Sequence, residues 1–234
     1  MSNSIDQRET ELKKFLEREN LPESLIPLVN AALTHKSYSN EFRNEPKIKL
    51  DKHNQRLEFL GDSVLGLIVA HYFYASKRKV AEGGLTRLKS MTVCESALKL
   101  VADNLGLGSL LRMGKGEIAT GGLTRTSNLA DAVEALIGAI YVGASFEVAQ
   151  QFVLKHFHEI LENPDIVEGN QDFKSALQEY LAKKNHTRPE YQLTGSQGPD
   201  HDKEFTITLF IDGKKITEGV ARTRKQAEQN AARE

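Results

Sequence analysis

The chain has 234 residues, of which 39% are hydrophobic and 27% charged, as expected for one large or two ordinary globular domains. Its single cysteine, Cys94, excludes an internal disulfide and a cysteine-rich zinc site, and its net charge of −1 disfavours non-specific coating of nucleic acid. Because the charged N-terminus lacks the apolar core of a secretion signal and the most apolar run, residues 64–74, is too short to span a bilayer, we expect a cytoplasmic protein with no membrane partner.

The first part of the chain, residues 8–160, is predicted to be a mainly α-helical domain, because its apolar side chains recur at i, i+3 and i+4. Leu12, Phe15 and Leu16 show this spacing near its start. Glycine-rich breaks separate the predicted helices at residues 82–84, 106–108 and 114–122. The segment that follows, residues 161–170, is mostly polar and contains one proline and one glycine, so it is predicted to be a linker.

The last part, residues 171–234, is predicted to be a small α-β-β-β-α domain. After an opening helix, every second residue of the segment 205–211 is apolar, which indicates a half-buried strand. Asp212-Gly213 is a strong signal for a two-residue hairpin turn into a returning strand. A capping box, Thr223-x-x-Gln226, then predicts the start of the final helix.

Two apolar stretches of the first domain each contain a pair of acids and no lysine or arginine. The pairs are Glu58 and Asp62 in residues 57–76, and Asp131 and Glu134 in residues 129–146. On a helix, the i,i+4 and i,i+3 spacings place the two acids of each pair on one face. Because such apolar helices should be largely buried, their carboxylates are costly unless a cation neutralises them.

A divalent metal is the neutralising group that these residue types favour. All-oxygen sites suit magnesium or manganese, not zinc, and a di-iron site would require histidines where Gly61 and Ile137 stand. Magnesium held by four acids lowers the pKa of a bound water and stabilises the leaving oxygen of a phosphodiester. Two alternatives stay open: Asp131 as a first-turn acid stabilised by the helix macrodipole, and Glu58 with Asp62 as a solvated stripe.

Three further residues near these acids have two interpretations each. Gly61 and Gly66 interrupt the first acidic stretch, either as tolerated weak points or because another backbone approaches there. His35 has the chemistry of a general base, but a histidine in such a position more often forms a hydrogen bond within a loop or at a helix end.

Several motifs, in this order, resemble those of the ribonuclease III family. Residues 54–65, NQRLEFLGDSVL, look like the family signature, and residues 129–138, LADAVEALIG, look like its second acidic motif. Three shorter segments resemble the other nuclease motifs, at residues 32–37, 82–85 and 114–117. Residues 172–228 resemble the double-stranded-RNA-binding domain of bacterial members. The resemblance covers nearly the whole chain.

This resemblance implies a homodimeric endoribonuclease that hydrolyses double-stranded RNA with magnesium, for which manganese would substitute. The products would carry 5′-phosphate and 3′-hydroxyl ends with short 3′ overhangs. The expected substrates are ribosomal RNA precursors and structured messenger and transfer RNA transcripts. The implied fold is the ribonuclease III endonuclease fold, mainly α, followed by a small α+β RNA-binding domain.

The resemblance also implies roles for individual residues. The family's metal-binding acids match Glu58, Asp62, Asp131 and Glu134, of which Asp62 and Glu134 match the two catalytic residues. Glu82 matches an acid that lines the cleavage region, and Phe59 matches a residue that packs across the dimer. Gln55 stands where the family often has glutamate, so this position is neutral here.

The predicted RNA-binding surface combines cations at the last helix with polar groups elsewhere in its domain. Arg224 and Lys225 stand at the start of that helix, where a phosphate would receive both backbone N–H groups and cationic side chains. By family position, further contacts would come from Ser175, Gln178, Glu179 and His201. Such hydroxyl, amide and carboxylate groups suit the 2′-hydroxyls and base edges of the RNA minor groove. A merely solvated basic cluster is the alternative.

Two rival functions remain at this point. A binding protein would grip duplex RNA without cutting it, but the presence of all four acids argues against this. A small-molecule phosphohydrolase would use the acids, but it would leave the C-terminal domain without a purpose.

Overall fold

The computed structural model describes residues 2–41, 53–167, 173–184, 188–199 and 203–234. The chain divides into two compact units, Met1–Glu168 and Gly169–Glu234. The first unit is mainly helical, and the second contains a three-stranded sheet and two helices. The predicted order of a mainly α domain and an α-β-β-β-α domain is therefore confirmed.

The first unit is built from eleven described helices. They are α1 (Ser2–Arg18), α2 (Ile26–Ala32), α3 (Lys36–Glu41), α4 (Gln55–Ser76), α5 (Glu82–Thr92), α6 (Glu95–Leu105), α7 (Leu107–Leu110), α8 (Lys115–Ala119), α9 (Thr126–Gly143), α10 (Phe146–His156) and α11 (His158–Glu162). Helix α9 is buried along most of its length, and α4 packs directly against it. These two helices carry the acid pairs, so the centre of the core also positions the candidate site.

Helices α4 and α9 touch backbone to backbone at two glycines. A Cβ atom on Gly61 would lie 1.7 Å from the carbonyl oxygen of Glu134, and one on Gly138 would lie 2.2 Å from the carbonyl oxygen of Leu57. The close-approach interpretation of Gly61 is therefore confirmed. At Gly66 it is wrong, because a Cβ there would meet only the Lys89 side chain, at 3.3 Å from its ammonium nitrogen.

Helix α4 is longer than its most apolar run, residues 64–74, which by itself is too short to span a bilayer. By length and composition alone its 22 residues would suffice to cross a membrane, a test that the core helices of soluble proteins also pass. One side of α4, including Leu65 and Val69, is buried in the core.

The first unit extends beyond residue 160, where the helical domain is predicted to end and the linker 161–170 to follow. Leu161 and Val167 are 1% and 2% exposed and belong to the apolar core, and a 3₁₀ turn, Pro164–Ile166, connects them. Residues 161–167 therefore pack with the helices, because the burial of Leu161 and Val167 anchors this otherwise polar segment to the core. Residues 168–172, which include the rest of the predicted linker, lie outside the described residues.

The second unit consists of two helices and an antiparallel sheet of order β1-β2-β3. Its elements are α12 (Phe173–Lys183), β1 (Glu190–Gln197), β2 (Glu204–Ile211), β3 (Lys214–Ala221) and α13 (Arg224–Arg233). Asp212 and Gly213 have φ angles of 51° and 74°, as a tight two-residue hairpin requires. Thr223 Oγ1 accepts a hydrogen bond from the Gln226 backbone N–H at 3.2 Å, so the predicted N-cap of α13 is confirmed.

Candidate active site

Three of the four predicted acids meet where α4 and α9 cross. Glu58, Asp131 and Glu134 each offer a carboxylate oxygen, and these oxygens lie within 4.8 Å of one another. We call these three residues the acid cluster. The crossing at Gly61 and Gly138 makes this convergence possible, because a side chain on either glycine would force the helices apart.

Burial and mutual repulsion make the carboxylates of the acid cluster harder to ionise than ordinary acids. Burial, followed by the charges of Asp62, Asp131 and Glu58, raises the pKa of Glu134 to about 8. Burial and the charge of Asp131 also raise the pKa of Glu58. Carboxylates that resist ionisation in this way are stabilised by a divalent cation, and an all-oxygen donor set fits a hard ion such as magnesium.

Asp62 lies beside the acid cluster but is not one of its members. Its side chain is exposed, and yet it is the strongest charge acting on Glu134. The interpretation of Asp131 as a first-turn acid is wrong, because α9 begins five residues earlier, at Thr126. The solvated-stripe interpretation also fails for Glu58, which is half-buried, although it describes the exposure of Asp62.

Two charged residues near the acids were not identified from the sequence. Glu95 opens α6 and is the strongest charge raising the pKa of Asp131, after the effect of burial. Lys36 opens α3 and acts in the opposite direction, lowering the pKa of both Asp131 and Glu58. Neither residue carries a local sequence signal, because its effect depends on how separate helices pack.

His35 forms hydrogen bonds just before the start of α3. Its Nδ1 atom lies 2.8 Å from Ser37 Oγ, and burial lowers the pKa of the ring. Ser37 Oγ in turn accepts a hydrogen bond from the Gly114 backbone N–H at 2.9 Å. The neighbouring Thr34 carbonyl accepts from the Asn54 backbone N–H at 2.9 Å. The segment therefore ties the start of α4 to a distant loop, as the helix-end interpretation predicts.

Glu117, within the motif at residues 114–117, binds residues at the N-terminal end of α9. Its carboxylate accepts a hydrogen bond from Asn128 Nδ2 at 3.0 Å and pairs with Arg125. The Asn128 hydrogen bond, together with the charge of Arg125, lowers the pKa of Glu117 against the opposing effect of burial. This acid is thus already satisfied by protein partners, unlike the carboxylates of the acid cluster.

Glu82, Phe59 and Gln55 are not part of the acid cluster. Glu82 opens α5, where its carboxylate accepts a hydrogen bond from Thr86 Oγ1 at 2.9 Å. Phe59 is 78% exposed, and Leu67 and Tyr74 continue an exposed apolar stripe at intervals of about two turns along α4. Gln55 is exposed at the first turn of the same helix.

The predicted RNA-contacting residues whose side chains the structure describes lie on α12 and α13. Arg224 and Lys225 are exposed at the start of α13, and the Arg224 guanidinium lies 5.6 Å from the centroid of the Phe205 ring. On α12, Gln178 is exposed and Ser175 is half-buried. The Glu179 side chain and the whole of His201 lie outside the described part of the structure.

Comparisons with known proteins identify both units. Residues 26–161 match the family model described as ribonuclease-III-like, and residues 173–234 match the double-stranded RNA binding motif. The chain is 43% identical over 202 residues to "Ribonuclease 3" of Clostridium perfringens, covering 86% of this chain and 83% of that one. It is 40% identical over 231 residues to "Ribonuclease 3" of Moorella thermoacetica, covering 97% and 95%.

A solved structure gives the same relationship for the nuclease part. The nuclease domain of ribonuclease III from Campylobacter jejuni, described for structural flexibility in a region involved in dimer formation, is 36% identical to this chain. The similarity has a TM-score of 0.57 and covers 63% of this chain and 96% of the other.

Proposed function

Because the chain belongs to the ribonuclease III family and carries a double-stranded RNA binding motif after its nuclease domain, we propose that it is a magnesium-dependent endonuclease of double-stranded RNA. The observation that carries the metal assignment is the convergence of three carboxylates on a glycine crossing, with the pKa of Glu134 raised to about 8. Manganese would replace magnesium, since both favour oxygen ligands.

In this proposal the acids hold the metal and Asp62 completes the site. Glu58, Asp131 and Glu134 provide the converging oxygens, and Asp62, which is exposed and whose charge acts on Glu134, would add the fourth carboxylate. When bound, magnesium supplies an activated water and stabilisation of the leaving oxygen. Asp62 and Glu134 are the proposed catalytic residues, and Glu82 is proposed to line the cleavage region. The products would carry 5′-phosphate and 3′-hydroxyl ends with short 3′ overhangs.

The second unit is proposed to bind the duplex by its shape and backbone. Arg224 and Lys225 would clamp phosphate at the start of α13, while Ser175, Gln178, Glu179 and His201 would contact the minor groove. The proposed substrates are ribosomal RNA precursors and structured messenger and transfer RNA transcripts. We further propose that the protein acts in the cytoplasm without a membrane partner.

A cleavage assay on a long RNA duplex tests this proposal. The full chain should cut the duplex with magnesium or manganese and should not cut it in EDTA. A single-stranded RNA of the same length is the control substrate and should stay intact. Duplex binding without cleavage in either metal would favour the rival binding protein and overturn the proposed activity.

We also propose that the protein is a homodimer formed through the stripe of Phe59, Leu67 and Tyr74. One site cuts one strand, so two sites related by a two-fold axis suit opposed cuts on a duplex. Light scattering should therefore give about twice the 26.1 kDa chain mass. Phe59→Asp should shift the protein towards monomer, whereas Ile216→Asp, at an exposed apolar residue of β3, should not. A monomeric wild-type chain at micromolar concentration would contradict the proposal.

A further inference from the structure

A cavity lies in the helical unit away from the acid cluster, lined by parts of α1, α2, α3 and α7 and by the residues that follow α7. Its volume is about 440 Å³, and none of the residues assigned above to metal, RNA or dimer contacts lines it. Two arginines from distant parts of the sequence meet in it, Arg8 from α1 and Arg112 from the segment between α7 and α8. We call it the Arg8–Arg112 pocket.

Arg8 leaves one hydrogen-bond donor unused inside the protein. Its Nε atom donates to Asn30 Oδ1 at 3.2 Å, which fixes the plane of the guanidinium. Its Nη2 atom is buried from solvent and has no hydrogen-bond partner within the described residues. A buried cationic donor without an acceptor is unfavourable, so an anion held near the Arg8 guanidinium would offset part of this cost by its charge.

Arg112 is held next to it by neutral partners. Its Nη2 and Nε atoms donate to Thr34 Oγ1 at 2.9 Å and 3.3 Å, and its guanidinium stacks 4.7 Å from the centroid of the Tyr38 ring. Burial, and then the like charge of Arg112, lower the pKa of Arg8 to about 10. The two guanidiniums therefore repel each other, and no carboxylate within hydrogen-bond distance is described for either.

Acids do occur at the edge of the pocket. Glu9 and Glu11 belong to the lining, both are exposed, and Glu11 Oε1 accepts a hydrogen bond from the Gln7 side chain at 3.3 Å. The charge of Glu11 raises the pKa of Arg8, but less than burial and Arg112 lower it. These exposed carboxylates do not satisfy the buried nitrogen, and they would repel a long polyanion at the entrance.

We propose that the Arg8–Arg112 pocket binds a small oxyanion of the phosphate class. Two guanidiniums line this cavity without a carboxylate partner among the residues that the structure describes, and such planar cations bind the oxygens of phosphate through their N–H donors. The bound anion would also neutralise two like charges. A phosphate group of RNA offers the same chemistry, but the entrance acids favour a free phosphate or a small phosphate ester.

Thermal denaturation of the full chain with inorganic phosphate, in EDTA and without RNA, tests this proposal. Phosphate should raise the melting temperature in a saturable way by about 2–4 °C relative to sodium chloride of equal ionic strength. Arg8→Gln should lose this shift. Lys14→Gln removes an exposed cation of the same helix outside the pocket, so it should keep the shift.

A second variant distinguishes the loss of phosphate binding from a loss of stability caused by removing Arg8. Ser109 also lines the pocket and is exposed, so Ser109→Asp brings a carboxylate to the two arginines without removing either. It should raise the melting temperature of the phosphate-free protein and abolish the response to phosphate. An equal phosphate shift in wild type, Arg8→Gln and Ser109→Asp, or no shift beyond that of chloride, would overturn the proposal.

Competition identifies the source of the phosphate. A short RNA duplex in EDTA should leave the phosphate shift unchanged if the ligand is a small anion, and Arg8→Gln should then bind duplex RNA like wild type. If the duplex displaces phosphate and Arg8→Gln weakens duplex binding, the same oxyanion site is occupied by the RNA backbone. Both results support the pocket as a phosphate site, and both are independent of cleavage.

Discussion

The acid cluster and the start of α13 each gather charges of one sign, but they hold them in opposite ways. The carboxylates of the acid cluster are half-buried on two helices whose backbones touch, and their mutual repulsion contributes to the raised pKa of Glu134. At α13, by contrast, Arg224 and Lys225 are exposed to solvent.

This difference predicts how substitutions at the two places should affect activity, stability and RNA binding. Half-buried like charges cost folding free energy, and a bound cation stabilises them strongly. Substitutions in the acid cluster should therefore have large effects, and they should affect both activity and stability. Exposed cations cost little in the folded protein and act on phosphates nearly independently. Changes at α13 should therefore be small, additive and sensitive to salt.

The largest expected effect follows from Glu134→Gln. It keeps the size of the side chain but removes a proposed ligand charge, so cleavage in magnesium should fall by about 10²–10³-fold or more, as when one preorganised electrostatic group is lost. Duplex binding, measured in EDTA, should stay close to wild type. The same variant removes repulsion and should raise the melting temperature of the metal-free protein at pH 8.

Glu159→Gln is the matched control, since Glu159 is an exposed acid on α11 outside the acid cluster. It should change neither cleavage nor stability. Wild-type cleavage by Glu134→Gln would exclude the proposed metal site.

The glycine crossing can be broken without touching an acid. Gly138→Ala would place a Cβ atom 2.2 Å from the Leu57 carbonyl oxygen, so the helices must separate. We expect a loss of roughly 3 kcal/mol in unfolding free energy, at the upper end of overpacking costs, and weaker magnesium binding by calorimetry. Gly66→Ala on α4 is the control and should be tolerated, because its new methyl group would meet only the flexible end of Lys89. Equal stability of the two variants would contradict the crossing.

The boundary between the units gives the next prediction. A chain that ends after Glu168 keeps Val167 in the core and should remain folded, but it should cut poorly at physiological salt and better at low salt, because the phosphate contacts of the second unit are lost. A chain that ends after residue 160 also loses Leu161 and Val167. Since burial of each such side chain contributes about 1.5–3 kcal/mol, its melting temperature should be clearly lower. Equal melting temperatures would show that this segment is a linker after all.

Magnesium should stabilise the protein more at pH 8 than at pH 6. Since folding raises the pKa of Glu134 from its ordinary value of 4.5 to about 8, the folded protein binds more protons than the unfolded protein between these two pH values. The metal-free protein should therefore lose stability as pH rises through this range. Magnesium competes with these protons, so its effect on the melting temperature should grow with pH. A magnesium shift independent of pH would contradict the assignment, and Glu134→Gln should flatten the metal-free profile.

The sequence predicts much of this architecture because the relevant patterns are local. Helical periodicity, the Asp212-Gly213 turn and the Thr223 cap each depend on neighbouring residues, and the structure confirms them. The acid pairs are recognisable for the same reason, as carboxylates at helical spacing on helices without cations.

The remaining features depend on tertiary packing, which no local pattern reports. Gly138 looks like an ordinary small residue until the Leu57 carbonyl is placed against it. Glu95 and Lys36 act on the acids only because α6 and α3 pack near them. Val167 lies in a polar segment, and its burial follows from the surface that it meets, not from its neighbours in sequence.

The smallest expected effect is that of Lys225→Ala. An exposed cation that contacts one phosphate releases about one counterion, so this variant should weaken binding to all duplexes by a similar factor and reduce the slope of log affinity against log salt by about one unit. Lys214→Ala, at an exposed lysine of the β2–β3 hairpin, should change neither quantity. Filter binding of several unrelated duplexes across a salt series measures both. If Lys225→Ala lost affinity for only some sequences, the residue would read bases, and the phosphate clamp at α13 would be wrong.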